Sequence, residues 1–277
     1  RLCVRGRDLL YGYCQERGIA HQRCGKLIVA GEAQVDALRA LHARGIQNGV
    51  SDLQLLTAAE ANRLEPQVRC AAALLSPSTG IVDVHEYLVA LIADVEASGG
   101  MIAYRSTVER IEVAGEDLVV GVSSDGDTTE LRCRFLINAA GLSCVALLDC
   151  IRGYPTAHGR RMWYAKGNYF SCRVRPFKRL VYPMPNEAGL GVHATLDLDG
   201  TVRFGPDVQW VDAPEYEVDA ARTEAFYEAI RDYWPSIPAG SLQPAYAGVR
   251  PKLVGPGAAA ADFVIEGRET HGIAGLI

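Results

Sequence analysis

The sequence predicts an α/β (α+β) fold of two interleaved domains, one of alternating helices and strands and one built on an antiparallel sheet. Helix and strand signals alternate through the first third of the chain, short strands joined by Gly-containing turns follow, and a second strand-like block spans Arg161 to Pro206. With 277 residues, 49% of them hydrophobic, the chain has the apolar material for a core that size.

Taken in order, Leu2, Leu9, Leu10 and Tyr13 fall near one helix face with no capping residue before them, so the opening reads as mid-helix. Lys26 to Ala30 reads as a strand. Thr57 with Glu60 and Asp83 with Glu86 have capping-box spacing, and the second pair opens a helix from Val84 to Ser98 that Gly99-Gly100 closes. Thr107 to Val113, Leu118 to Val122 and Leu131 to Asn138 form a β-meander through turns at Gly115-Glu116 and Asp125-Gly126. A helix is expected over Leu142 to Ile151. Asp199-Gly200 is a hairpin turn between Ala194-Thr195-Leu196 and Val202-Arg203-Phe204. Asp219 then opens an amphipathic run through Phe226, Tyr227, Ile230, Tyr233 and Trp234, which Pro235 stops.

Composition excludes several classes. A net charge of -5 without long runs of one sign leaves no footprint for nucleic acid or an anionic membrane surface. No stretch approaches the ~20 apolar residues of a membrane span, and Arg1 to Arg5 lacks the apolar core of a signal peptide. Eight scattered cysteines with no Cys-x-x-Cys pair indicate reduced thiols in a cytoplasmic setting, with peripheral attachment to an inner membrane left open. His21-Gln22-Arg23-Cys24 has no second ligand pair, so no metal is expected.

The most informative local signal is Phe135-Leu136-Ile137-Asn138-Ala139-Ala140-Gly141, an apolar strand that ends in small residues before a helix. Small residues let a ligand or a packed helix approach the backbone, and free amides at a helix start favour phosphate. From these residues alone, tight strand-to-helix packing explains the pattern slightly better.

Asn138-Ala139-Ala140-Gly141 resembles the NAAG turn of the D-amino-acid-oxidase-like (DAO) FAD oxidoreductases, and Gly80-Ile81-Val82-Asp83 resembles their GIVD entry to a helix. Further segments extend the likeness over nearly the whole chain: Ala165 to Phe170, Val181 to Pro185, Gly189 to His193, Phe204 to Asp207 and Tyr246 to Leu253. As an ordered set they resemble the L-2-hydroxyglutarate oxidase/dehydrogenase family.

That resemblance implies an FAD-binding Rossmann-like domain (1–25 and 77–157, with 251–277 returning to it) interleaved with an antiparallel-sheet substrate domain (26–76 and 158–250). Family members also carry a G-x-G-x-x-G turn for the pyrophosphate and continue past His271 to Ile277, so both ends read as truncated. Gly189-Leu190-Gly191-Val192-His193-Ala194 has part of that spacing but precedes a strand and hairpin, so it is rejected as a dinucleotide loop.

The resemblance also implies site residues. Arg250, in an A-G-x-R-P context, would clamp the substrate carboxylate, a task suited to a planar, permanently charged guanidinium. By residue type alone, a surface or structural arginine beside a proline turn is the stronger reading. His193 would take the hydroxyl proton, since imidazole titrates in the working range, and a half-buried structural histidine is the competing reading. Tyr182 would hydrogen-bond the carboxylate, and Lys166 would steady negative charge on the reduced flavin. Val108 resembles the position whose backbone meets the adenine, and Asn138, Ala139, Ala140 and Gly141 would lie near the pyrophosphate of FAD.

The implied reaction is oxidation of L-2-hydroxyglutarate, or a similar 2-hydroxy acid, to the 2-oxo acid, with oxygen or a quinone as electron acceptor. A second substrate carboxylate would need a second basic partner among Arg160, Arg161, Arg173 and Lys252. Two readings compete: an amino-acid or amine oxidase of the same fold, and a non-catalytic remnant or binding module lacking the pyrophosphate loop.

Overall fold

The computed structural model describes residues 2–155, 160–185, 191–259 and 261–277. They belong to two units, the first comprising 1–98, 167–209 and 216–248 and the second 99–166, 210–215 and 249–277. The class is mixed α/β, as the sequence predicts.

In chain order the first stretch contributes α1 (Leu2–Arg17), β1 (His21–Gln22), β2 (Lys26–Ala30), α2 (Val35–Gln47), β3 (Gln54–Thr57), α3 (Ala58–Leu64), β4 (Ala72–Ser76), β5 (Ile81–Val82) and α4 (Val84–Ala97). There follow β6 (Ser106–Ala114), β7 (Asp117–Ser124), β8 (Asp127–Cys133) and α5 (Cys144–Asp149). The remainder is β9 (Trp163–Cys172), β10 (Leu180–Pro183), β11 (Ala194–Leu196), β12 (Val202–Phe204), β13 (Gln209–Val211), α6 (Thr223–Arg231), β14 (Leu242–Lys252) and α7 (Arg268–His271).

The first unit is built on a sheet that runs β9-β12-β11-β10-β2-β4-β3. All neighbours are antiparallel except β10 and β2, which run parallel with Leu27 opposite Val181. Alternation along each strand turns Leu27, Val29, Val181, Ala194, Val202, Phe204 and Phe170 into one buried face, which Phe226, Ile230, Tyr233 and Trp234 cover. On the reverse face Leu38 and Leu41 of α2 cover Ile28, Ala30 and Leu74. Caps define the helix starts. The Thr57 hydroxyl accepts from the Glu60 amide while the Glu60 carboxylate accepts from the Thr57 amide, a full capping box. At Asp83 only half the box forms, because the Glu86 carboxylate accepts from the Ala20 amide instead.

The second unit contains the expected meander, an antiparallel sheet in the order β6-β7-β8. Its turns need positive φ, and Gly115 (+71°), Asp125 (+50°) and Gly126 (+94°) supply it. Ile111, Leu118 and Val120 pack there with Ile151, Ile273 and Leu276. Two expectations need correction. The last strand was expected to run from Leu131 to Asn138, but the ladder ends at Cys133, and Leu136 instead makes a parallel bridge to Leu276. The following helix spans only Cys144–Asp149, after a 3-10 turn at Gly141–Ser143.

Candidate active site

Strand register brings Tyr182 and His193 together. β10 pairs with β11 through Val181 and Ala194, so Tyr182 and His193 are cross-strand neighbours, and their rings stack at 3.6 Å and 12°. His193 lies between Val192 and Ala194, both in the core, so alternation turns its imidazole to the reverse face. Its backbone is held on both sides. The Tyr233 hydroxyl donates to the Val192 carbonyl at 2.9 Å, and the Gly205 amide donates to the His193 carbonyl at 2.9 Å. Complete burial pushes the Tyr233 phenol well above its ordinary value, so it remains a donor at any working pH.

Lys26, which the sequence reading did not single out, joins this pair. Its Nζ lies 5.0 Å from the centre of the Tyr182 ring, and burial pushes the ammonium below the ordinary lysine value. The signal was present in Lys-Leu-Ile-Val-Ala, where a charge opens an apolar strand and must sit on the face opposite Leu27 and Val29. Arg203 is also on this sheet, paired with Asp197 at 2.5 Å and 5.3 Å from the Tyr246 ring, which stacks on Tyr169 at 4.5 Å.

Two segments of the family resemblance explain each other. Asn168 is fully buried, and its amide and side chain both donate to the Asp207 carboxylate, at 2.8 and 3.1 Å. Asp207 also pairs with Arg222, and the Asp219 amide donates to Asn168 Oδ1 at 3.1 Å. Gly205 sits at φ +137°, where an added Cβ would come within 2.6 Å of the Asn168 carbonyl oxygen. The Gly167-Asn168 and Phe204 to Asp207 segments are therefore packing partners that hold β9 and β12 in place.

In the second unit, the Asn138 side chain organises the turn that follows it. Nδ2 donates to the Cys144 carbonyl at 2.8 Å, Oδ1 accepts from the Ala140 amide at 3.3 Å, and the Asn138 amide donates to the Ile277 carbonyl at 2.8 Å. Ala139, Ala140 and Gly141 are exposed, and nothing lies within 4 Å of where a Gly141 Cβ would be. A turn this open and this free of side chains fits close approach by a diphosphate.

Val108 lies on β6 opposite Val122, beside a register irregularity. Lys166 is 3% exposed and its Nζ donates to Glu215 at 2.7 Å, so its charge is already matched. Arg250 is exposed on β14, and among the described residues no carboxylate pairs with it. Of the basic residues considered for a second carboxylate, Arg160 pairs with Glu266 and Arg161 lies over Trp163 at 4.0 Å. Gly189 and Leu190, part of the rejected glycine run, lie outside the described residues.

Each unit also has a cavity. A cleft of about 510 Å³ in the first unit is lined by Glu32, Asp232 and Arg69 among apolar groups. Two acids against one base make it a poor receiver for an anion. In the second unit a cavity of about 130 Å³ borders Asn138, Arg160, Glu266 and His271. There His271 Nδ1 accepts from the Ile273 amide at 3.2 Å, and the buried Nε2 has no hydrogen-bond partner among the described residues.

Residues 1–275 match the family described as FAD dependent oxidoreductase (DAO). The mitochondrial L-2-hydroxyglutarate dehydrogenase of Arabidopsis thaliana is 39% identical over 319 residues, covering 100% of this chain and 66% of that protein. Its counterpart in Pongo abelii is 34% identical, covering 75% of the chain and 52% of that protein. The chain thus spans between about half and two thirds of the length of these relatives. Among solved structures, L-alpha-glycerophosphate oxidase from Mycoplasma pneumoniae with FAD bound aligns with a TM-score of 0.78 at 22% identity, covering 90% of this chain and 67% of that one. That likeness establishes the fold.

Proposed function

Since the chain belongs to the DAO family of FAD-dependent oxidoreductases, we propose that the protein it comes from oxidises L-2-hydroxyglutarate, or a closely similar 2-hydroxy acid, to the 2-oxo acid. FAD, when bound, supplies the acceptor at N5 for the hydride that leaves C2. His193 takes the hydroxyl proton, and Tyr182, stacked on it, fixes the imidazole and donates a hydrogen bond to the substrate carboxylate. Arg250 holds the α-carboxylate, with a guanidinium that has no ion-pair partner among the described residues. Asn138, Ala139, Ala140 and Gly141 would receive the pyrophosphate of FAD, the backbone at Val108 would meet its adenine, and Lys166, paired with Glu215, would steady negative charge on the reduced flavin.

In this reading 1–25, 77–157 and 251–277 serve the cofactor, while 26–76 and 158–250 serve the substrate. That division cuts across the compact units, because 1–25 and 77–98 lie in the first of them. The observation that carries the proposal is the Tyr182–His193 stack, a base and a phenol held on one sheet face in a chain 39% identical to an L-2-hydroxyglutarate dehydrogenase.

The test is anaerobic bleaching of the flavin in the full-length protein by a panel of L- and D-2-hydroxy acids and amino acids. L-2-hydroxyglutarate is expected to reduce it fastest, and His193→Ala to lower kcat about 100- to 10,000-fold. Reduction by amino acids alone, or full turnover in His193→Ala, overturns the proposal. A colourless protein that ignores added FAD overturns it as well.

A further inference from the structure

Among the described residues, Lys26 stands apart from the other partly buried basic side chains of its unit. Arg203 is matched by Asp197, Arg179 by Glu65 and Arg222 by Asp207, whereas no carboxylate pairs with Lys26 among the described residues. It is nonetheless partly buried, and burial alone pushes its ammonium below the ordinary lysine value. Keeping a cation out of water without a counter-charge costs free energy, and the Tyr182 ring at 5.0 Å offsets only part of it. An anion arriving from outside would offset the rest.

Position narrows which anion. Lys26 and His193 share Tyr182 as a neighbour, at 5.0 and 3.6 Å from its ring centre, so ammonium and imidazole are both held against one phenol ring, from the strands on either side of β10. If His193 serves the hydroxyl carbon, the ammonium is displaced from that carbon by about a ring's width, where the other end of a small substrate would lie. We infer that Lys26 receives the far carboxylate of a 2-hydroxy dicarboxylic acid and thereby sets the preference for dicarboxylate over monocarboxylate substrates. This rests on the proposed function, in which Arg250 holds the α-carboxylate.

The experiment compares L-2-hydroxyglutarate with L-2-hydroxypentanoate, which has the same carbon chain without the far carboxylate, in the full-length flavin-loaded protein. In Lys26→Met, selectivity in kcat/KM for the dicarboxylate is expected to fall tenfold to a hundredfold, mainly through KM, the scale of one charge-assisted hydrogen bond. Lys26→Arg should restore much of it. Calorimetry with glutarate and butyrate, neither of which can be oxidised in this reaction, should show the same loss for glutarate alone. Equal losses on both substrates and both inert acids would give Lys26 a structural or α-carboxylate role and overturn the inference, as would unchanged selectivity. If no 2-hydroxy acid reduces the wild-type flavin, the proposed function fails, while the glutarate arm still decides Lys26. Circular dichroism and flavin content identify a misfolded Met variant, in which case Lys26→Gln is read the same way.

Discussion

The two units bury their residues differently. In the first, a seven-strand path of sheet is covered by aromatic and aliphatic side chains of and beyond α6, and the reverse face carries Lys26, Tyr182 and His193. In the second, a three-stranded meander buries a narrow stripe around Ile111, Leu118 and Val120, while Phe135 and Ile137 remain 73% and 67% exposed. The candidate chemistry differs in parallel. Side chains that must meet a substrate at fixed angles stand on strands locked by a thick core, where rotamers are constrained. The turn at Asn138 to Gly141 offers mainly backbone, which a few hydrogen bonds to Cys144, Ala140 and Ile277 can shape without a deep core beneath it.

The strongest way to break this comparison is to open the first core. Phe204 is fully buried, pairs in register with Phe170 and stacks near Trp234 at 5.9 Å. Phe204→Ala should cost about 3–5 kcal/mol in urea denaturation. A loss below about 1 kcal/mol would mean that this sheet is not the rigid support assigned to it.

A paired glycine substitution sharpens the contrast at smaller scale. Gly205→Ala would force a Cβ to 2.6 Å from the Asn168 carbonyl oxygen and 2.9 Å from the Tyr169 ring, at φ +137°. It should cost about 3 kcal/mol. Gly141→Ala meets nothing within 4 Å and carries only the left-handed backbone penalty at φ +56°, about 1–2 kcal/mol. Equal losses in the two variants would remove the distinction between a crowded and an open backbone.

Local signals made much of the fold legible. Lys26 to Ala30, the capping box at Thr57 and the turns at Gly115, Gly126 and Gly200 each follow from neighbours in sequence, because alternation, cap hydrogen bonds and positive φ are local demands. Non-local pairing was not legible. Phe135-Leu136-Ile137 looks like a continuation of β8, yet Leu136 pairs with Leu276, far along the chain, and nothing nearby in sequence names that partner. The site shows the same limit. Tyr182 and His193 are each candidates by residue type, but their stack depends on a register, and Lys26 reaches Tyr182 because β2 lies beside β10 with Lys26 opposite Leu180, diagonal to Tyr182. Nothing in the sequence beside Lys166 names Glu215, 49 residues away, as the carboxylate that matches its charge.

The smallest expected effect tests whether the first unit tolerates buried charge. Glu65 is 1% exposed, accepts from the Lys178 amide at 3.1 Å and pairs with Arg179 at 3.4 Å. Burial outweighs these partners and raises its carboxyl above the ordinary glutamate value of 4.5. The folded chain therefore holds this proton to a higher pH than the unfolded chain does. Stability from this group is fully present below the unfolded value and is lost as pH rises through the folded one. Glu65→Gln keeps an acceptor and removes the titration, so its melting temperature relative to wild type should climb as pH is raised from about 4 to about 7. A difference that stays flat, or that shrinks as pH rises, would mean that Arg179 and the Lys178 amide hold the carboxylate charged and that burial does not dominate at this position.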